Sequence, residues 1–323
     1  MKTVAVLDDY QNVALSFGAW DTVRARANVT VLNRHIADEA ELAAQLAKTN
    51  IIVCNRERTK ITKSLIEKLP HLELIVTSGM RNASIDVEAA IARGITVCGT
   101  NTLGYPTAEL TWSMILAFMR NLPNEVNSLA AGGWQTKVGT GLRGKTLGII
   151  GLGRIGTDVA KVGQAFGMKV IAWSRSLTPE KAAALGIECV TKEELMKRAD
   201  VATIHLALNK DTRGLVGAPQ LALMKPTALI VNTSRSPIID VPALIAALKA
   251  GQIGGAALDV YDREPLAKDD PIRSAPNTLL TPHLGYVIAE NYEVTYGQSV
   301  ENILAWMDGK PMRVIDPNAP QAH

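Results

Sequence analysis

The chain has 323 residues, of which 47% are hydrophobic and 20% charged, and its formal net charge is +3. This length exceeds what one hydrophobic core usually organises, so it predicts two domains. The 34 basic and 31 acidic residues are scattered without a basic run, which argues against a nucleic-acid partner. No apolar stretch is long enough for a bilayer span or a signal peptide, so we expect a cytoplasmic protein with no membrane partner.

Short apolar runs rich in β-branched residues predict buried strands in the first hundred residues. These runs are Val4–Leu7, Val29–Leu32, Ile51–Cys54, Leu74–Thr77 and Ile95–Cys98. Amphipathic patterns between them, such as Asp38–Lys48 and Thr62–Leu69, predict helices. Alternation of this kind is typical of a parallel sheet with helices on its faces.

The pattern changes after Cys98, where the stretch GTNTLGYP precedes a long apolar helix that begins at Pro106. This change predicts a domain hinge. A second strand series follows at Thr146–Ile150, Lys169–Trp173, Val201–Leu206, Ala228–Asn232, Ala256–Val260 and Thr278–Leu280. The last helical pattern, Glu290–Trp306, has no further strand series after it, so we expect it to return to the first domain.

The fold predicted by these patterns is α/β, with two doubly wound parallel-sheet domains. We expect the first domain to be discontinuous, with residues 1–101 and 287–323. The second domain then contains residues 102–286, and its six predicted strands suffice for a complete doubly wound sheet.

A glycine motif, Gly151-Leu-Gly153-Arg-Ile-Gly156, lies directly between a predicted strand and the helical pattern Thr157–Phe166. Gly151 permits a tight turn, Gly153 lets the backbone approach a pyrophosphate, and Gly156 lets the helix pack closely on the strand. The helix N-terminus offers N–H groups to the anion. Glycine-rich turns are common, but the strand–turn–helix context predicts dinucleotide binding.

The next predicted strand ends in Ser174-Arg175-Ser176, where an NAD-binding domain would carry an acid for the ribose hydroxyls. An arginine can instead hold a 2′-phosphate by paired charge-assisted hydrogen bonds, and no residue near it in the sequence would repel that phosphate. We therefore favour NADP(H) as the cofactor. NAD(H) is the alternative, if Arg175 is a solvated loop residue that stacks on adenine.

Arg235, Glu264 and His283 follow three successive strands of the second series, and carboxyl strand ends are where open α/β sheets bind ligands. Singly, they could be a surface ion-pair partner, a loop acid and a turn residue. Together they match the reduction of a 2-keto acid, with His283 as general acid and Glu264 orienting its ring. Arg235 would bind the substrate carboxylate and polarise the keto oxygen. The five histidines lack metal-ligand spacing, so we expect no metal.

The chain resembles the D-isomer-specific 2-hydroxyacid dehydrogenases over essentially its whole length, including their glyoxylate/hydroxypyruvate reductase-like and phosphoglycerate dehydrogenase-like members. The segments that carry the resemblance are GKTLGIIGLGRIG (Gly144–Gly156), LMKPTALIVNTSRSPIID (Leu223–Asp240), GAALDVYDREPL (Gly255–Leu266) and TPHLGY (Thr281–Tyr286). The resemblance implies a Rossmann cofactor domain, a flavodoxin-like substrate domain, and Arg235, Glu264 and His283 in the roles given above. It also implies a homodimer formed through the cofactor domains, with Trp134 either at that contact or packed in the core.

The resemblance implies further site residues. Cofactor contacts are implied for Arg154, Ile155, His205, Leu206, Ala207, Thr233, Ser234, Asp259, His283 and Gly285. A substrate loop is implied at Ser78, Gly79, Met80, Arg81 and Asn82, whose backbone N–H groups would hold the carboxylate; loop packing and an ion pair are the alternative for Met80 and Arg81. Two positions depart from the family pattern, since Ser236 replaces a usual glycine and Val241 a usual glutamate. A changed backbone at Ser236 would disturb Arg235.

The expected function is reduction of glyoxylate, hydroxypyruvate or a larger 2-keto acid by NADPH or NADH. One alternative is a dinucleotide-sensing, corepressor-like binding protein, because the fold alone does not imply catalysis. A pure sensor need not keep Arg235, Glu264 and His283 together, which favours the enzyme. Another alternative is an oxidoreductase of this kind with a different substrate, either 3-phosphoglycerate or an inorganic or one-carbon donor. For a phosphorylated substrate, Arg81 alone provides little basic charge in the first domain.

Overall fold

The computed structural model describes residues 1–317, and the chain divides into two compact units. Unit 1 contains Met1–Leu103 together with the chain from Ile288 onward, and unit 2 contains Gly104–Val287. Within the described residues, no helix has the length and apolar character needed to cross a membrane.

Unit 1 is built on a five-stranded parallel sheet. Its strands are β1 (Lys2–Val6), β2 (Ala27–Val31), β3 (Ile51–Cys54), β4 (Leu74–Thr77) and β5 (Thr96–Gly99), in the order β2-β1-β3-β4-β5. Its helices are α1 (Trp20–Arg24), α2 (Glu39–Leu46), α3 (Lys63–Glu67), α4 (Val87–Ala92) and, at the far end of the chain, α12 (Ala289–Met307). Every residue of β3 and β4 is buried, which explains their continuous apolar sequences.

Side-chain caps fix where the helices of unit 1 begin. The Asp38 carboxylate accepts the Glu41 amide at the start of α2, and the Thr62 hydroxyl accepts the Leu65 amide at the start of α3. The helix α12 belongs to this unit. The Asn302 side-chain amide on α12 donates to the Gly99 carbonyl at 2.8 Å, which joins this helix to β5.

Unit 2 is built on a seven-stranded parallel sheet in the order β12-β11-β10-β9-β6-β7-β8. Its strands are β6 (Thr146–Ile150), β7 (Lys169–Trp173), β8 (Glu188–Cys189), β9 (Val201–Ile204), β10 (Leu229–Asn232), β11 (Gly255–Leu258) and β12 (Thr278–Leu280). Its helices are α5 (Pro106–Met119), α6 (Leu122–Ala130), α7 (Arg154–Ala165), α8 (Pro179–Ala183), α9 (Lys192–Arg198), α10 (Ala218–Leu221) and α11 (Val241–Lys249). The prediction of two parallel-sheet α/β domains is therefore confirmed.

Alternate residues of the strands in unit 2 enter two separate hydrophobic clusters. On β10, Ile230 belongs to one cluster, whereas Leu229 and Val231 belong to the other. Because successive strand residues point to opposite faces, the sheet has a core on each side. The strand order reverses at β6, and ligands of such sheets bind beyond the carboxyl ends of the strands at this reversal.

The helix α6 and the segment after it present apolar side chains to solvent. None of the residues of α6 is buried, and Val126 and Leu129 are exposed on it. The Glu125 carboxylate accepts the amides of Thr136 and Lys137 at 3.0 Å, and these bonds attach the following segment to the helix. Trp134 is 74% exposed, so the alternative that it packs in the core of this chain is wrong.

Candidate active site

The glycine motif of unit 2 forms the turn that leads from β6 into α7. Gly151 has a φ of 104°, and a Cβ there would lie 2.8 Å from the His205 carbonyl oxygen. A Cβ on Gly156 would collide with the carbonyl oxygen of Gly151. Only glycine fits these two positions, because one needs a left-handed backbone and the other a close backbone approach.

The N-terminus of α7 is open to an anion. Apart from Gly153 itself and its two chain neighbours, no heavy atom lies within 4 Å of the position that a Cβ of Gly153 would take. The first intrahelical bond at this end runs from the Thr157 amide to the Gly153 carbonyl, at 2.8 Å. The amides of Arg154, Ile155 and Gly156 precede it in the first turn, which carries no acidic residue. These amides and the helix dipole fit the pyrophosphate of a dinucleotide.

The end of β7 carries a charge arrangement that the sequence did not predict. Arg175 forms an ion pair with Asp211, which lies in the loop after β9. Both side chains face solvent, since Arg175 is 74% exposed and Asp211 45%. The expectation that nothing near Arg175 would repel a phosphate is therefore wrong, because that expectation considered only residues near it in the sequence.

The residues after β9 and β10 are joined by hydrogen bonds at the carboxyl edge of the sheet. The Ser234 hydroxyl donates to the Leu206 carbonyl. The next carbonyl, of Ala207, accepts the Thr212 hydroxyl at 2.8 Å. The His205 ring is bonded to the Thr203 hydroxyl at 3.0 Å, and burial lowers the pKa of His205 to about 4. His205 is therefore neutral at neutral pH.

Glu264 and His283 form a close pair. The Glu264 Oε2 lies 2.6 Å from the His283 Nδ1, and the Glu264 Oε1 accepts the Tyr261 amide at 2.9 Å. Burial opposes ionisation of Glu264, but the hydrogen bond and charge of His283, the Tyr261 amide and the charge of Arg235 together hold the pKa of Glu264 below its usual range. An ionised carboxylate therefore faces one nitrogen of the imidazole ring.

Arg235 follows β10 in an extended conformation, with φ −144° and ψ 135°. Its guanidinium donates to the Ser234 carbonyl at 2.7 Å, and its own carbonyl accepts the Asn232 side-chain amide at 3.0 Å. Because the charge of Arg235 lowers the pKa of Glu264, the two side chains act on one another electrostatically. The structure thus brings together the three strand-end residues singled out in the sequence.

Asp259 holds the turn that carries His283. Its carboxylate is fully buried and accepts three hydrogen bonds, from the Thr281 hydroxyl at 2.7 Å, the Leu284 amide at 2.7 Å and the Gly285 amide at 2.9 Å. Burial raises the pKa of Asp259, and these bonds and the charge of His283 oppose the rise. His283 has a φ of 54°, a left-handed backbone that is unusual for a histidine, and the amides that Asp259 binds are the next two along the chain. This support for the turn was not foreseen from the sequence.

Three hydroxyl groups also support this part of unit 2 and were missed in the sequence. Tyr261 donates its hydroxyl to the carbonyls of Leu258 and Thr281, at 3.1 and 2.9 Å. Two threonines of α5 act similarly. Thr107 donates to the Gly285 carbonyl at 2.9 Å, and Thr111 lies 2.9 Å from the Thr233 hydroxyl. No motif in the sequence marks these contacts, and all of them except the bond between Tyr261 and Leu258 join residues at least 20 positions apart.

The predicted substrate loop lies in unit 1, directly after β4. The Ser78 amide donates to the Cys54 carbonyl at 3.2 Å, and the Gly79 amide donates to the Thr100 hydroxyl at 3.1 Å. The Asn82 side chain accepts the Ser84 amide at 2.9 Å and donates to the Thr77 hydroxyl at 2.9 Å. Two of the amides assigned to a substrate carboxylate are therefore already used within the unit.

Two arginines missed in the sequence, Arg56 and Arg58, follow β3, the strand next to β4 in the sheet. A Cβ on Gly79 would lie 3.6 Å from the Arg56 Cδ, and the Arg56 amide donates to the Ser78 hydroxyl at 2.7 Å. Arg58 donates to the Asp8 carbonyl at 2.5 Å and lies 4.5 Å from the centre of the Tyr10 ring. Both arginines follow β3 at its carboxyl end, so the criterion applied to unit 2 would have found them.

Comparison with known proteins identifies the family. A family model described as "D-isomer specific 2-hydroxyacid dehydrogenase, NAD binding domain" matches residues 112–285, which is more than half of the chain. The chain belongs to this family. The matched residues lie within unit 2 and include the glycine motif, Arg235, Glu264 and His283.

Individual members of the family match over most of the chain. The D-3-phosphoglycerate dehydrogenase of Methanocaldococcus jannaschii is 41% identical over 82% of this chain, but the match spans only 53% of that enzyme. The glyoxylate reductase of Aeropyrum pernix is 36% identical, covering 98% of this chain and 92% of that enzyme. The crystal structure of a phosphoglycerate oxidoreductase from Vibrio cholerae matches with a TM-score of 0.92 and 40% identity, covering 96% of this chain and 100% of that one. The chain is thus an NAD(P)-dependent oxidoreductase of this family.

The structure of this dehydrogenase accommodates both departures from the family pattern, Ser236 and Val241. Ser236 does not have a positive φ and begins a short 3₁₀ helix, so its backbone conformation does not require glycine. Val241 is the first residue of α11 and packs against a hydrophobic cluster, while Asp240 caps that helix through the Ala243 amide at 3.1 Å. The main chain at Arg235 stays extended next to Ser236.

Proposed function

We propose that this dehydrogenase reduces a 2-keto acid to the D-2-hydroxy acid, with Arg235, Glu264 and His283 carrying out the chemistry. The observation that carries the proposal is the 2.6 Å hydrogen bond between Glu264 and His283 within electrostatic reach of Arg235. A dinucleotide sensor would not need an acid–base pair beside a guanidinium at the strand ends. This arrangement therefore favours catalysis.

The chain's own residues have distinct proposed roles. A reduced nicotinamide, when bound, supplies the hydride that adds to the keto carbon. His283 donates its Nε2 proton to the keto oxygen as negative charge develops there, so that one hydride and one proton complete the reduction. Glu264 accepts from the Nδ1 of His283, which fixes the ring and favours its protonated form. Arg235 binds the substrate carboxylate and stabilises the developing charge on oxygen.

The substrate loop of unit 1 is proposed to bind the substrate carboxylate through backbone amides. The Ser78 amide donates to the Cys54 carbonyl and the Gly79 amide to the Thr100 hydroxyl, so the proposed carboxylate donors are the amides of Met80, Arg81 and Asn82. The Met80 side chain is exposed and would contribute to the choice of substrate side chain.

The cofactor is proposed to bind with its pyrophosphate at the N-terminus of α7 and its adenosine end near Ser174, Arg175 and Ser176. The open space at Gly153 supports the first assignment. The exposed guanidinium of Arg175 supports NADP(H) over NAD(H), because it can bind a 2′-phosphate. NAD(H) is the second candidate cofactor, since Arg175 has a carboxylate partner in Asp211.

Initial rates with NADPH and with NADH, each against glyoxylate, hydroxypyruvate, pyruvate and phenylpyruvate, test the proposed reaction. We expect oxidation of the cofactor with at least one keto acid, and the best substrate will show the size of side chain that the site accepts. Absence of turnover with every pair, in protein that binds the cofactor, would contradict the proposal and favour a sensor.

A second candidate substrate class carries an additional anionic group, as 3-phosphoglycerate does. The guanidinium of Arg56 beside Gly79 is the observation that favours it, because it adds a second basic side chain to Arg81 at the substrate loop. Oxidation of 3-phosphoglycerate with NAD⁺ or NADP⁺, compared with oxidation of glycerate, tests this candidate. A preference for the phosphorylated compound would support it, and equal rates would not.

We also propose that the chain forms a homodimer through unit 2. The exposed apolar side chains Val126, Leu129 and Trp134 support this proposal, because contiguous exposed apolar groups mark interaction surfaces. Val126→Asp should convert the dimer into a monomer in sedimentation velocity. Ile91→Asp, at an exposed apolar position of α4 in unit 1, is the matched control and should leave the dimer intact. A monomeric unsubstituted protein would overturn this proposal.

A further inference from the structure

The ion pair of Arg175 and Asp211 joins the two strands that flank the glycine motif. Arg175 follows β7, and Asp211 lies in the loop after β9. In the sheet, β6 lies between these two strands, and Gly151 directly follows β6. The pair therefore links the two sides of the place where the adenosine end of a dinucleotide is proposed to bind.

The loop that carries Asp211 is held by its own polar groups. The Asn209 side-chain oxygen accepts the amides of Asp211 and Thr212, at 2.9 and 3.1 Å. The Thr212 hydroxyl in turn accepts the Asn209 amide at 2.8 Å and donates to the Ala207 carbonyl at 2.8 Å. These bonds fix the main chain of Asp211, so its carboxylate has a defined position relative to Arg175.

We propose that Asp211 determines how strongly the enzyme prefers NADPH to NADH, by competing with the 2′-phosphate for Arg175. This inference rests on the proposed cofactor site. A 2′-phosphate carries close to two negative charges at neutral pH, whereas the ribose 2′-hydroxyl of NADH carries none. NADPH must therefore displace the Asp211 carboxylate from Arg175, and its 2′-phosphate must then stay near that carboxylate. NADH leaves the ion pair intact.

The competition should be modest and sensitive to salt. Exposed ion pairs are weak, so breaking this one costs NADPH little binding free energy. Repulsion between the displaced carboxylate and the phosphate costs a similar amount. We expect Asp211→Asn to tighten NADPH binding about 3- to 10-fold and to change NADH binding less than about twofold. The gain should shrink at high ionic strength, because both side chains face solvent.

Dissociation constants of NADPH and NADH, measured by fluorescence titration at low and high salt, test this proposal. The proteins to compare are the unsubstituted enzyme, Asp211→Asn, Arg175→Ala and the double variant. Adenosine 2′,5′-bisphosphate and 5′-AMP serve as probes of the adenosine end alone. Glu188→Gln is the matched control, because Glu188 pairs with Arg198 on the surface of the same unit and its side chain is 55% exposed, close to the 45% of Asp211.

We expect Asp211→Asn to have a higher ratio of NADPH affinity to NADH affinity than the unsubstituted enzyme. The affinity ratio of adenosine 2′,5′-bisphosphate to 5′-AMP should rise by an equivalent factor. The gain from Asp211→Asn should be smaller when Arg175 is also replaced by alanine. An unchanged ratio in Asp211→Asn would overturn the role of Asp211. A gain of equal size in Glu188→Gln would also overturn it, since the cause would then be overall surface charge. Failure of the unsubstituted enzyme to bind either dinucleotide would instead overturn the cofactor site itself.

Discussion

The carboxyl edges of the two sheets differ in how their polar side chains are held. In unit 2, the Asp259 carboxylate is fully buried, and Glu264 and His283 are bonded to one another. In unit 1, the loop after β4 is held mainly through its main chain and Asn82, and the side chains of Met80 and Arg81 are exposed. Under the proposed roles, one edge fixes the reacting groups, and the other edge leaves room for different substrates.

This difference predicts two kinds of variant. Substitutions in the hydrogen-bonded edge of unit 2 should lower turnover or stability with every substrate, because the same groups are used each time. Substitutions among the exposed side chains of unit 1 should change KM for some substrates only.

His283→Ala should have the largest effect. Loss of a general acid typically costs 10²- to 10⁴-fold, so we expect kcat to fall by roughly that factor with every keto acid that the enzyme reduces. The measurement is steady-state kinetics with saturating cofactor, together with cofactor titration to show that binding persists. His71→Ala, at an exposed position of unit 1, should retain the kcat of the unsubstituted enzyme. A kcat for His283→Ala equal to that of His71→Ala would remove His283 from the mechanism.

Asp259→Ala should have the next largest effect, because three donors, of which the Gly285 amide is buried, lose their acceptor. An unsatisfied buried donor costs about 1–3 kcal/mol, so we expect the free energy of unfolding to fall by at least that amount in urea denaturation. The turn that carries His283 should loosen as well, and kcat should fall more than KM changes. Asp240→Ala, which removes only the cap of α11, is the comparison, with an expected loss of about 1 kcal/mol and an unchanged kcat. Equal kcat values for the two variants would show that Asp259 does not position His283.

Five strands predicted from the sequence match the structure to the residue: Ile51–Cys54, Leu74–Thr77, Thr146–Ile150, Lys169–Trp173 and Thr278–Leu280. Full burial is not what these five strands share, because every residue of β3 and β4 is buried whereas no residue of β12 is. The strand β8 was missed, because it has only two residues, Glu188 and Cys189, at the edge of the sheet. The strand predicted over Val201–Leu206 ends at Ile204. The prediction was too long because Leu206 is apolar and packs on the core from the loop. Apolar residues indicate burial, and buried residues continue past the last residue of a strand. An apolar run therefore does not mark where the strand ends.

The three proposed reacting residues of the candidate site were predictable from the sequence, but the contacts that hold them in place were not. Arg235, Glu264 and His283 could be singled out because each follows an apolar strand closely in the chain. The contacts of Asp259 with Leu284 and Gly285, and of Arg175 with Asp211, join residues at least 25 positions apart. Such contacts depend on the order of strands in the sheet and on the path of each loop. A pattern of apolar and polar residues encodes neither, so they required the structure.

Arg56→Ala should have the smallest effect, and it tests whether unit 1 selects substrates by charge. The Arg56 side chain is 44% exposed, so water screens its charge, and we expect a change in KM of about 3- to 10-fold. The increase should occur with 3-phosphoglycerate but not with glycerate, and kcat should be unaffected. The Arg56 amide that binds Ser78 is kept in this variant, so the loop should stay folded.

Arg24→Ala is the matched control for Arg56→Ala, because Arg24 lies in the same unit at 49% exposure and pairs with Asp21 at 3.3 Å. If Arg24→Ala raises the KM for 3-phosphoglycerate as much as Arg56→Ala does, the effect belongs to the net charge of the chain. If neither variant distinguishes 3-phosphoglycerate from glycerate, unit 1 does not select a second anionic group through Arg56. A rise confined to Arg56→Ala and to the phosphorylated substrate would place charge selection in unit 1 and leave the chemistry of unit 2 independent of it.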